Sequence, residues 1–380
     1  MNVLIAIDSF KGCLSSKELS DEISEGVKEV SSSFKTRKIP IADGGEGTKD
    51  ALFSQLNAKE VKLKVKNPIF ENIEASYAIL PNHTALIEMA SSSGLDLIPK
   101  EKQNPLKTST FGLGQMIKDA LDKSCNKFII GIGGSATNDG GMGMLNALGF
   151  EFVDKNSNIL APCGESLSKV YKICSKNADE RLKKCEFNIA CDVDNPFYGK
   201  NGAAYVYAKQ KGASETEIAF LDKGLEDFCE LIKKDIKKDI SKLSGAGAAG
   251  GLGGGFCAFL DAKLCSGTEI IFNLLDIKAH ISWADIIITG EGRLDFQTTM
   301  GKAPSAIAKL AKEQNKPVIA LAGTFEDEAI KAHDCGINAM FSIIDKPMTL
   351  EEATDKTTAK KLVKKSSYEI FSLIKTLKCL

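Results

Sequence analysis

Short apolar runs alternate with amphipathic stretches along both ends of this chain. Val3 to Ile7 is an unbroken apolar run closed by Asp8, which predicts a short buried strand. Ser16 to Val30 carries apolar residues at helical spacing behind Ser15 and Ser16, either of which suits an N-cap. A strand is expected near Phe34–Ile41 and a helix near Glu46–Leu56. Val61, Leu63 and Val65 then alternate with lysines, the period of a half-exposed strand. The last third returns to the same alternation, with strand Ile286–Thr289, helix Pro304–Glu313, strands Val318–Ala322 and Ala339–Ile344, and a closing amphipathic helix. Alternating strands and helices predict a parallel sheet covered on both faces.

The middle reads differently. Asn72–Leu80 and Ala85–Met89 flank Pro81-Asn82-His83 as a hairpin would, and Cys185–Val193 predicts another strand. Ile218, Leu221, Leu225, Phe228 and Ile232 form a helical stripe. Ser244 to Gly255 is mostly glycine and alanine, which an ordinary core does not explain. The expected class is α/β: a Rossmann-like parallel-sheet domain from residues 1–66 plus 281–380, with a second α/β domain, 67–280, inserted into it.

Composition narrows the function classes. The 380 residues are 43% hydrophobic and 26% charged with a formal net charge of −1, which gives no electrostatic reason for a nucleic-acid or anionic-membrane partner. No apolar run approaches the roughly 18 residues of a membrane span, and the N-terminal run is too short for a signal sequence. The eleven cysteines are odd in number, irregularly spaced and without a Cys-x-x-Cys pair, so reduced, mostly structural thiols in a cytoplasmic protein are expected. Three scattered histidines supply no zinc-cluster spacing and leave the chemistry to carboxylates, lysines and hydroxyls.

That chemistry concentrates after the predicted strands, where ligands bind in open parallel sheets. The richest stretch is Gly131-Ile132-Gly133-Gly134-Ser135-Ala136-Thr137-Asn138-Asp139-Gly140-Gly141, behind Phe128–Ile130. A glycine-rich turn at a strand end offers N–H groups to an anion and admits close approach. Gly131, Gly133 and Ala136, with Glu151 twenty residues on, match the dinucleotide fingerprint and would suit an NAD-dependent oxidoreductase. Against that reading, Gly140, Gly141 and Gly143 interrupt the helix such a site needs, each at about 1 kcal/mol. Neither Gly199-Lys200 nor Gly301-Lys302 completes a Walker A loop.

Three further clusters follow strands: Asp8-Ser9-Phe10-Lys11-Gly12, Asp43-Gly44-Gly45-Glu46-Gly47-Thr48, and Gly290 to Lys302 with Glu291, Arg293 and Asp295. Simpler explanations exist for each piece. Asp43 and Thr48 suit a helix cap, Lys11 a solvated turn, and Arg293 with Asp295 a structural ion pair. Asp192 and Asp194, two residues apart in Cys191-Asp192-Val193-Asp194-Asn195-Pro196, would share a strand face and favour Mg²⁺, or else belong to a turn before Pro196.

Taken in order, these five motifs resemble those of the bacterial glycerate kinase family of type I, from Val3 to about Ala311, and Gln210-Lys211-Gly212-Ala213 and the glycine–alanine tract fit as well. Ile7, Ala208-Lys209 and Ser305-Ala306 depart from the family pattern at turns, and little matches beyond Gly323. The resemblance implies a Rossmann-like domain with an inserted α/β domain, a cleft between them, and transfer of the ATP γ-phosphate to the 2-hydroxyl of D-glycerate. Phosphorylation at the 3-hydroxyl is the alternative, and the oligomeric state stays open between monomer and homodimer. Phosphoryl transfer needs positioning and charge neutralisation above all. Gly133, Gly134, Ser135, Thr137 and Asn138 are therefore the candidate phosphate cradle. Ser9, Asp43, Gly44, Gly45, Glu46 and Glu291 are candidates for substrate binding, and Lys11, Arg293, Asp192 and Asp295 for catalysis. Asp139 and Asp194 are the candidate Mg²⁺ ligands.

Overall fold

The computed structural model describes residues 1–10, 12–39, 41, 56–295 and 303–378. The chain divides into two compact units, Met1–Gln55 with Ile271–Leu380, and Leu56–Ile270.

The first unit is built on a five-stranded parallel sheet. Its strands are β1 (Asn2–Ile5), β2 (Lys35–Lys38), β11 (Ile286–Leu294), β12 (Val318–Phe325) and β13 (Ala339–Ser342), in the order β13-β12-β11-β1-β2. The chain moves outward one way from β1 to β2 and the other way from β11 to β13, so the order reverses between β1 and β11. Such a reversal opens a crevice beyond the strand ends. Helix α1 (Ser16–Val30) starts at a capping box in which Ser15 and Glu18 satisfy each other's backbone N–H. Its buried stripe, Leu19, Ile23 and Val27, packs with Val3, Ile5 and Ile288 and with Val363 and Phe371 of the C-terminal helix α6 (Lys356–Lys378). Gly26 lets α1 and α6 touch: a Cβ there would lie 2.5 Å from the Lys364 carbonyl oxygen. On β11, Gly290 has φ +148°, and a Cβ would stand 1.8 Å from the Leu321 oxygen, so only glycine fits.

The second unit carries a six-stranded sheet. Strands β5 (Thr84–Glu88), β6 (Lys127–Gly131), β9 (Glu186–Ala190) and β10 (Lys263–Cys265) are parallel, while β4 (Asn72–Ile79) runs antiparallel to both β5 and β3 (Lys59–Lys66). Their order across the sheet is β10-β9-β6-β5-β4-β3. Helix α2 (Phe111–Asp122) joins β5 to β6, α3 (Met142–Ala147) follows β6, and α4 (Glu215–Asp235) presents Leu221, Leu225, Phe228 and Ile232 to the core. Phe128 and Phe187 stack at 4.7 Å between centroids on adjacent strands. A small antiparallel pair, β7 (Glu151–Val153) and β8 (Lys172–Cys174), completes this unit's strands among the described residues.

The sequence pattern places the crossings near 67 and 280, whereas the units exchange at 55/56 and 270/271. β3 pairs with β4 from Lys59 opposite Ile79 to Lys66 opposite Asn72, and that ladder binds it to the second unit. The glycine–alanine tract becomes helix α5 (Ala248–Leu260), whose opening residues Ala249, Gly250 and Gly251 are left-handed. It presses backbone against backbone on the loop after β6. A Cβ on Gly250 would sit 2.0 Å from the Thr137 oxygen, and one on Gly255 2.5 Å from that of Gly140.

Candidate active site

The loop after β6 holds its shape through one carboxylate. Asp139 is fully buried and accepts hydrogen bonds from the Thr110 N–H (2.8 Å), the Thr110 hydroxyl (2.8 Å), and the N–H groups of Gly141 and Gly143 (both 3.1 Å). Burial pushes its carboxyl up from the ordinary aspartate range, and these four bonds oppose that shift. Its oxygens are occupied within the fold, which removes the geometry for an Mg²⁺ ligand. Thr137 and Asn138 are buried too, behind the pocket surface rather than on it, and the Asn138 amide has no hydrogen-bond partner among the described residues.

Upstream, Gly133, Gly134 and Ser135 do line a pocket. It occupies about 490 Å³ beyond the C-terminal ends of β6 and β9. Gly134 is left-handed at φ +72°. A Cβ on Gly133 would meet nothing within 4 Å, so the protein's own packing does not require glycine there; the open space belongs to the pocket. The N–H groups of Gly133, Gly134 and Ser135 meet no acceptor among the described residues. The helix that a dinucleotide fold would start at Ser135 begins only at Met142, so the NAD reading fails on geometry.

Asp192 lines the same pocket, exposed, with Oδ1 accepting the Gly267 N–H at 3.0 Å. Asp194 is exposed and lies off the pocket lining. β9 ends at Ala190, three residues before the predicted end, so Asp192 and Asp194 share no strand face and the paired-carboxylate argument loses its geometry.

The motifs alone do not single out the group at the back of the pocket. Lys211 is 2% exposed, and its ammonium donates to the Thr137 carbonyl (2.6 Å) and the Ser135 hydroxyl (3.3 Å). Burial pushes this lysine down to about 7, with the charge of Asp139 opposing the shift. The sequence does hold a signal for it. Ala204, Ala208 and Lys211 lie at i, i+4 and i+7, so the lysine occupies a position on a buried stripe where an apolar residue is expected.

In the first unit, Ser9, Glu291, Arg293 and Asp295 line a second cavity, of about 950 Å³, at the reversal point of the sheet. Asp8 is 5% exposed; its carboxylate accepts from the Ser9 N–H at 2.6 Å, and its own N–H donates to Gly290 at 3.0 Å. Arg293 is exposed, 3.1 Å from Glu326 and 3.8 Å from Asp295. Phe325, Ile343, Ile344 and Met348 add apolar lining. Lys11, Asp43, Gly44, Gly45 and Glu46 lie outside the described residues.

Each unit therefore carries its candidate residues beyond the carboxyl ends of parallel strands. The glycerate kinase family model matches residues 3–375. The chain belongs to the glycerate kinase family. It is 44% identical over 354 residues to the glycerate 2-kinase of Escherichia coli K12, covering 93% of each chain. It is 40% identical over 379 residues to a glycerate kinase of Bacillus subtilis 168, covering 100% of this chain and 99% of that one. The crystal structure of a proposed glycerate kinase 2 from Salmonella typhimurium LT2 superposes with a TM-score of 0.87 at 40% identity, covering both chains fully. As a glycerate kinase family member the protein is an enzyme of the kinase class with a mixed α/β fold.

Proposed function

We propose that this kinase transfers the γ-phosphate of ATP to the 2-hydroxyl of D-glycerate, giving 2-phosphoglycerate and ADP. The observation that carries this reading is the open glycine cradle, Gly133-Gly134-Ser135, lining one pocket together with Asp192. Free N–H groups suit the spreading negative charge of a migrating phosphoryl group. A carboxylate in the same pocket suits the removal of the acceptor hydroxyl's proton. In the first unit, Ser9, Glu291, Arg293 and Asp295 line a cavity of their own, whose polar groups suit an anionic or hydroxylated ligand. Lys11, Asp43, Gly44, Gly45 and Glu46 keep the roles their motifs suggest.

Mg²⁺ fits as a companion of the nucleotide. Among the described residues no three His, Cys, Asp or Glu side chains converge on a metal position, and Mg²⁺ is commonly held by one or two carboxylates plus substrate phosphates. Asp192 would join it, and the ion would neutralise phosphate charge. No helix of the described residues is long and apolar enough to cross a membrane. The described cysteines are all free thiols, which supports a cytoplasmic setting.

The test is direct. ATP and D-glycerate are supplied, and the product passes to enolase without phosphoglycerate mutase. Enolase signal identifies the 2-isomer, signal only with mutase identifies the 3-isomer, and the absence of ADP would overturn the reading.

A further inference from the structure

A lysine sealed inside a protein is costly unless an anion meets it. Lys211 is 2% exposed and no carboxylate among the described residues lies within ion-pair distance of its ammonium. Its two hydrogen bonds go to neutral acceptors, Thr137 O and Ser135 Oγ. An ammonium has three donors, and Lys211 lines the pocket wall beside the N–H groups of Gly133, Gly134 and Ser135, which are also without acceptors among the described residues. Asp139, the carboxylate behind it, is already engaged by four donors. Four donor groups line one pocket, none bonded to a carboxylate among the described residues, and they call for an oxyanion from outside.

We propose that Lys211 and the Gly133–Ser135 amides form one oxyanion site, which binds a phosphoryl or carboxylate group of a substrate. This rests on the kinase reading for the identity of the substrates. The site is adapted to an arriving charge: burial holds the lysine near the midpoint of its titration at neutral pH, at about 7, and an oxyanion would restore the proton. Among the described residues the other titratable groups lining the pocket are Asp96, Cys191, Asp192 and Tyr207, with Asp139 behind the loop.

Calorimetry on the full chain at about pH 8, in two buffers of different ionisation enthalpy, tests this with ATP, D-glycerate and 2-phosphoglycerate titrated separately. The wild type should take up close to one proton with whichever ligand fills the cradle. Lys211→Met should lose at least about tenfold in affinity for that ligand and lose the proton uptake, while binding the other as before. Loss confined to ATP and 2-phosphoglycerate identifies a phosphoryl oxyanion; loss for glycerate identifies a carboxylate. Lys211→Arg, which keeps the charge, should retain part of the affinity, and it serves as the second variant if the methionine protein does not fold. Binding of all three ligands by folded Lys211→Met at wild-type affinity, or no proton uptake by the wild type, would overturn the proposal. Turnover of ATP and glycerate by the wild type is measured separately. A kinase indifferent to Lys211 refutes only this inference, whereas a Lys211-dependent binder without turnover refutes only the kinase reading.

Discussion

The ammonium of Lys211 and the carboxylate of Asp139 belong to the same buried loop assembly yet form no direct ion pair: the lysine bonds the Thr137 carbonyl at 2.6 Å, and the aspartate takes four donors from Thr110, Gly141 and Gly143. The anion of the pair is committed to the fold, and the cation is left to face the pocket.

This arrangement fixes the sign of a pH effect. The lysine's folded pKa, about 7, lies below its ordinary value of 10.5, so the unfolded chain binds more protons between these values. Stability contributed through this group therefore rises as pH climbs through that window and is lowest below it, where the buried amine is charged in both states. Thermal melts of wild type and Lys211→Met should show the wild type gaining relative to the variant between about pH 6.5 and about pH 9.5. A constant difference across that range would contradict the assignment.

Asp192 is expected to act on the acceptor proton. Asp192→Asn keeps the side chain's size, and its amide oxygen can still accept the Gly267 N–H. Loss of a general base costs about 10²–10⁴-fold in rate, so kcat should fall within that span with smaller changes in KM. A kcat within about tenfold of wild type removes Asp192 from the role.

Two glycines of the second unit should separate function from folding. Gly133→Ala places its methyl in open pocket space, so stability should stay within about 0.5 kcal/mol while kcat/KM drops by at least about tenfold. Gly250→Ala meets φ +69° and the Thr137 oxygen at 2.0 Å, and should cost at least about 2 kcal/mol of stability. Chemical denaturation alongside steady-state kinetics distinguishes them, and equal behaviour of the two variants would refute the cradle.

At Gly26 intrinsic propensity and packing disagree. In a free helix the change to alanine gains about 1 kcal/mol. Here the new methyl would lie 2.5 Å from the Lys364 oxygen of α6, and overpacking of this kind costs about 1–3 kcal/mol. Gly26→Ala should therefore lower the melting temperature; an increase would show that α6 yields without penalty.

The repeating patterns are legible in the sequence itself. The alternation of Val61, Leu63 and Val65 marks β3, and the stripe from Ile218 to Ile232 marks α4, because each periodicity is set by one face meeting a core. Partner choice is not legible. Nothing local to Lys59–Lys66 says that β4 is its neighbour, and so the crossing between the units falls earlier than the pattern suggests. At the site, Gly133, Gly134, Ser135 and Asp192 converge on one pocket. Thr137, Asn138 and Asp139 sit behind it, since a run of polar letters does not reveal which of them the fold consumes. The glycine–alanine tract likewise shows no partner in the sequence, because what it meets is the backbone of a loop more than a hundred residues away.

The Asp139 hub has a consequence for how ligands arrive. Four donors from two segments, 29 residues apart in the case of Thr110, fasten the loop before anything binds. A ligand entering the pocket need not organise its own receptor, so little of its interaction energy is lost to ordering the chain. The amides of Gly141 and Gly143 should then exchange slowly with solvent deuterium in the empty protein, already as protected as in the occupied one.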